Sequence, residues 1–75
     1  MRMSIVMYIK PNCPYCQKAR DFYHENAIEF IEYDAQNDKV RKKEMLDYSS
    51  GDLVVPCIVE NGDYVQSGWG NPLRG

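Results

Sequence analysis

The chain lacks the features that would send it to a membrane, a nucleic acid or the cell exterior. It has no run of about 18 apolar residues, so no segment reads as a membrane span. Arg2 is not followed by a long apolar stretch and a small-residue cleavage site, so no secretory leader is expected. Nine Lys and Arg against eleven Asp and Glu leave a net charge of −2, which gives no basic excess to recruit nucleic acid. Cysteine is scarce. The three cysteines are an odd number, with Cys13 and Cys16 only three positions apart, which is not a secreted disulfide framework; the expected compartment is the reducing cytoplasm. Ligands for a metal are equally short. A zinc site needs three or four, and beyond the cysteine pair only Cys57 and His24 are on offer. His24 lies eight residues past Cys16, about 12 Å along a continuing helix, too far to share an ion. No metal and no tightly bound cofactor are expected. No repeat, low-complexity tract or linker interrupts the 75 residues. A single domain over residues 1–75 is therefore expected, near the lower size limit for unaided folding.

What is present centres on Cys13-Pro14-Tyr15-Cys16. Met3 to Ile9 is rich in Ile, Val and Tyr and reads as a strand, Lys10-Pro11-Asn12 as a turn, and Pro14 to Asn26 as a helix. Pro14 suits a first helical turn, where its missing N–H removes no internal bond. Residues three apart on a helix are neighbours, so Cys13 and Cys16 can close a disulfide with little backbone change. Cys13 leads the helix, where unpaired amides and the positive dipole end favour a thiolate. Thiols so placed have pKa values of roughly 3.5 to 7.5, against about 8.5 for a free cysteine. Lys10 adds a positive charge in the same loop. Cys13 is thus the candidate nucleophile, and Cys16, one turn behind, the thiol that resolves the mixed disulfide.

Further along, Ile28 to Tyr33 reads as a second strand and Lys39 to Ser49 as a second helix, capped by Asn37-Asp38. Val40, Met45, Leu46 and Tyr48 are its expected buried contacts, and either Phe22 or Tyr23 that of the first helix. Val54 to Val59 is a strand interrupted near its start by Pro56, and Asn61-Gly62 signals a hairpin into a fourth strand at Asp63 to Gln66. Residues 67–75 read as irregular. The order β-α-β-α-β-β predicts an α/β fold with a small mixed four-stranded sheet. A proline inside a strand removes a ladder bond; it fits either a trans edge position or a cis Val55–Pro56 bond that turns the Val55 backbone toward a substrate.

With Lys10, Cys13-Pro14-Tyr15-Cys16, Val54-Val55-Pro56 and this element order, the chain resembles the glutaredoxins of the dithiol type across nearly its whole length. The resemblance implies a thioredoxin-like fold, a cis Pro56, and thiol–disulfide oxidoreductase activity with Cys13 as nucleophile and Cys16 as resolving thiol. It also implies glutathione as co-substrate, with Lys10 and Tyr15 lining its groove and Val55 pairing through its backbone. Tyr15 itself reads as exposed at the active-site rim, with its hydroxyl near Cys13. Protein disulfides or glutathione mixed disulfides are the implied substrates, handled by a monomer or weak dimer.

Two departures bear on these expectations. Where glutaredoxins carry a Gly-Gly-x-Asp turn after the last strand, this chain has Ser67-Gly68-Trp69-Gly70-Asn71-Pro72. That is similar to the turn of redoxins that serve ribonucleotide reductase and draw electrons from thioredoxin reductase, which makes such a redoxin the alternative function. The family's last helix also has no counterpart, which implies a partly covered sheet face, with marginal stability, dimerisation or truncation as consequences. An iron–sulfur carrier is a further reading, disfavoured by Pro14, and a non-catalytic disulfide-sensing module is another. Cys57 reads as a buried core residue, with a third redox thiol as the alternative. Trp69 reads as packing, with an exposed recognition role as the alternative. Lys39, Arg41, Lys42 and Lys43 form a basic cluster, one of which could meet a substrate carboxylate.

Overall fold

Residues Ile5–Ile9 and Cys57–Glu60 are apolar at most positions because they form the two central strands, covered on both faces. The computed structural model describes residues 4–75, so Met3, the expected start of the first strand, lies outside the described residues. The elements are β1 (Ile5–Ile9), α1 (Pro14–Glu25), β2 (Phe30–Asp34), α2 (Lys39–Ser49), β3 (Cys57–Glu60) and β4 (Asp63–Ser67). The sheet order is β2-β1-β3-β4, with β1 parallel to β2 and antiparallel to β3, and β3 antiparallel to β4. This is the thioredoxin-like architecture with its mixed four-stranded sheet.

The period-two alternation of strands divides the core between the two faces. Ile5 and Met7 of β1 and Ile58 of β3 pack with Ala19 and Tyr23 of α1. Tyr8, Cys57 and Val59 pack on the other side, with Met45 of α2 and with Cys13, Cys16, Ala35 and Val55. Tyr8 and Cys57 are directly opposed across the β1–β3 pair. No helix among the described residues is long and apolar enough to cross a membrane.

Local chemistry sets the element ends. Asp38 caps α2 by accepting from the Val40 and Arg41 amides at 3.0 and 3.2 Å. Asn61 and Gly62 both have positive φ, 51° and 83°, the geometry of a primed two-residue hairpin turn. β2 begins at Phe30 rather than at Ile28, because the chain is still leaving α1: Ala27 has φ 53° and the Ile28 amide donates to the Tyr23 carbonyl at 2.8 Å. β3 begins at Cys57 rather than Val54, since Pro56 has no N–H for the ladder. The segment after β4 is more ordered than its composition implied. Trp69 and Arg74 exchange two backbone hydrogen bonds, at 2.7 and 3.0 Å.

Two burial expectations are corrected on α2. Met45 is buried, but Val40 is 66% exposed and Tyr48 also lies at the surface. Val40 stands five positions from Met45, about 140° around the helix, so it faces away from the sheet. On α1 the choice falls on Tyr23, which is buried, while Phe22 is half exposed.

Candidate active site

Cys13 is the N-cap of α1, and its extended backbone (φ −103°, ψ 107°) hands the chain from the β1 loop to the helix. Asn12 before it has φ 57°, a left-handed turn that asparagine tolerates, and Pro14 occupies the first helical position. The Cys16 amide donates to Cys13 Sγ at 3.2 Å. The two sulfurs are at disulfide separation, with Cα atoms 5.2 Å apart. Cys16 is fully buried, whereas Cys13 keeps 6% of its surface. Cys13 is the more accessible of the two, and Cys16 lies behind it.

Val55 and Pro56, about forty residues downstream, arrive beside this pair. Val55 shares a core cluster with Cys13 and Cys16, and the Val55–Pro56 bond is cis. The Pro56 carbonyl accepts from the Gly68 amide at 2.8 Å, which pins the loop to the end of β4. Tyr15 is half-buried against the same cluster rather than exposed, and the Lys18 ammonium lies 5.2 Å from its ring centre. Lys10 is exposed.

A cleft of about 140 Å³ joins Lys10 and Val55 with Ile9, Ala35, Gln36, Lys42, Met45 and Leu53. Of the basic residues on α2, Lys42 is the one that lines it. Arg41 is committed to Glu44 and Lys43 to Asp47. Gln36 escaped sequence reading because the β2–α2 turn places it. Asp34 accepts from the Gln36 and Asn37 amides at 2.9 and 3.0 Å and from the Asn37 side chain at 2.8 Å. These bonds, the Asn37 side chain foremost, hold the Asp34 carboxyl below its usual range. Cys13 does not line that cleft; it lines a second hollow, with Asn12, Pro14, Gln17 and Arg20. Arg20 is paired there with Glu32 and with Gln17.

Cys57 is fully buried and unpaired with another cysteine. Burial pushes its thiol up to about 11, against a smaller opposing pull from a hydrogen bond to Ser67. Trp69 is half-buried and packs its ring on Phe22 and Tyr23, with centroids 5.6 and 5.8 Å away. Its packing reading holds. Among the described residues, no three His, Cys, Asp or Glu side chains come together as a metal-binding group.

The family model for glutaredoxin matches residues 5–65. Glutaredoxin-1 of Oryctolagus cuniculus and of Homo sapiens are each 27% identical over 67 residues, covering 83% of this chain. The chain spans 63% of the length of these curated relatives. Among solved structures, the glutaredoxin from Brucella melitensis is 30% identical with a TM-score of 0.68, over 85% of this chain and 68% of that one. The thioredoxin-like protein BC3987 is 26% identical with a TM-score of 0.76, over 91% and 90% of the two chains.

Proposed function

The chain belongs to the glutaredoxin family, and from that premise we propose that it is a small thiol–disulfide oxidoreductase acting on protein disulfides or glutathione mixed disulfides. In this reading the Cys13 thiolate attacks a substrate disulfide, forms a mixed disulfide and expels one substrate thiolate, which takes up a proton. Cys16 then attacks the Cys13 sulfur, releases the second substrate thiol and leaves the Cys13–Cys16 disulfide. Two glutathione thiols return the pair to the dithiol and are oxidised to one disulfide.

The observation that carries the proposal is the Cys16 amide aimed at Cys13 Sγ at 3.2 Å, at a helix N-terminus. An N–H donor and the dipole end both favour negative charge on that sulfur. Burial of Cys16 keeps the second thiol from competing for substrate. The cleft between Lys10, Gln36, Lys42 and Val55 suits a short peptide thiol bearing a carboxylate: two ammonium groups meet the charge, and the Val55 main chain pairs with that of the ligand.

The test compares Cys13→Ser with Cys16→Ser in a glutathione-coupled disulfide reduction assay. Cys13→Ser is expected to be inactive on every disulfide. Cys16→Ser is expected to keep activity on glutathione mixed disulfides alone.

One observation favours a second donor. The turn after β4 presents Asn71 where an acid would hold the glutamyl end of glutathione, so no carboxylate is offered there. Turnover with thioredoxin reductase and none with glutathione and its reductase would select that reading.

A further inference from the structure

Val55 is the residue whose main chain the proposed chemistry hands to a substrate, yet it is 4% exposed, and Pro56 is below 2%. The segment beyond β4 lies over them. Gly68 is tied to Pro56, and the paired backbone bonds between Trp69 and Arg74 fold the intervening residues into a closed turn. That turn returns the chain so that Gly75 rests directly on the Val55 loop. A methyl group on Gly75 would run into the Val55 carbonyl oxygen, and would stand 2.5 Å from Val54 Cγ1 and 3.0 Å from the Val55 nitrogen. The contact is main chain on main chain, and it admits no side chain. Trp69 anchors the segment on the opposite side through Phe22 and Tyr23.

We propose that residues 69–75 form an intramolecular strap, with Gly75 taking the place of the substrate main chain at Val55. The strap must lift before a peptide thiol can pair there beside Cys13. The inference rests on the oxidoreductase reading for what binds at Val55; the contact itself does not. A site available for only part of the time binds with an affinity reduced by that fraction, so a strap closed nine-tenths of the time weakens substrate binding about tenfold. Gly68 and Gly70, with φ of 92° and 98°, take the left-handed conformations that bound the Trp69 anchor.

Two variants test this. Gly75→Val forces bulk against Val55 and drives the strap off, and deletion of residues 71–75 removes its outer half. Both are expected to raise kcat/KM for a glutathione mixed disulfide several-fold, up to about tenfold, through a lower KM. Unchanged or lower kcat/KM in both variants overturns the strap, provided the parent chain turns over. If parent and variants all fail on every disulfide, the oxidoreductase reading falls, and a second measurement decides the strap alone. Cys16→Ser protein is joined chemically to glutathione at Cys13, and nuclear Overhauser contacts between Gly75 and Val55 main-chain protons are recorded. The contacts are expected in the free protein and lost in the adduct. Contacts absent from the free protein, or retained in the adduct, overturn the proposal.

Discussion

The phenol of Tyr8 on β1 donates a hydrogen bond to the Glu44 carboxylate of α2 at 3.1 Å. Arg41 holds the same carboxylate through Nη1, at 3.0 and 3.2 Å, and its guanidinium sits 3.8 Å from the centre of the Tyr33 ring. The Arg41–Glu44 pair is partly exposed, and solvent screening leaves it weak by itself. Tyr8 supplies the directed link between helix and sheet. Burial, reinforced by Glu44, pushes its phenol well above the usual range, so it stays a donor. Tyr8→Phe is expected to cost about 0.5–1.5 kcal/mol, and Glu44→Gln less, because the amide oxygen still accepts. Urea unfolding checks both; an unshifted midpoint for Tyr8→Phe contradicts the assignment.

Cys57 is expected to be inert in the folded protein. Its thiol is raised from 9.0 to about 11 by burial, so at pH 8 its thiolate is about a hundredfold scarcer than in the unfolded chain. Because the folded value exceeds the unfolded one, the stabilising contribution is complete below pH 9 and lost between about 9 and 11. Iodoacetamide labelling followed by mass spectrometry, in buffer and in urea, reads the difference. Equal rates in both would return Cys57 to the list of redox thiols.

Asp34 contributes to the acid limb of stability. Its carboxyl is held below 3.8 by the Asn37 side chain and by the Asn37 and Gln36 amides. A depressed folded value means that the contribution is present above about pH 4 and is lost as pH falls through the folded value. Asp34→Asn is expected to flatten the pH dependence of the thermal midpoint below about pH 4. A slope identical to the parent's would contradict the role given to the turn.

Trp69 joins the turn after β4 to α1. Its two ring contacts, on Phe22 and Tyr23, together contribute about 1–3 kcal/mol beyond area burial. Trp69→Ala is expected to lower stability by at least that much in denaturant titration. A loss of under about 0.5 kcal/mol would mean that the ring merely rests on the surface.

What could be read in the sequence was local. Asp38 as a cap, Asn61-Gly62 as a hairpin turn and Cys13-Pro14 as a helix start each depend on backbone needs within four residues. β1 and β3 were also legible as strands, from their near-continuous apolar runs. The misread residues depended on distance. Val40 is apolar but out of phase with Met45, and only the sheet's position decides which phase is buried. Lys42 could not be singled out from Arg41 and Lys43 without seeing Glu44 and Asp47 engage the other two. Gln36 enters the cleft through the Asp34 turn, and Gly75 meets Val55 across twenty residues of chain. No pattern in the sequence reports such meetings.

The most direct measurement is the pH dependence of Cys13 alkylation in the reduced protein, followed by mass spectrometry from pH 3 to 9. A sulfur that caps a helix and receives the Cys16 amide is expected to show a half-rise between about 3.5 and 7.5. A half-rise near 8.5, with a neutral-pH rate no faster than that of an ordinary free thiol, would contradict the account.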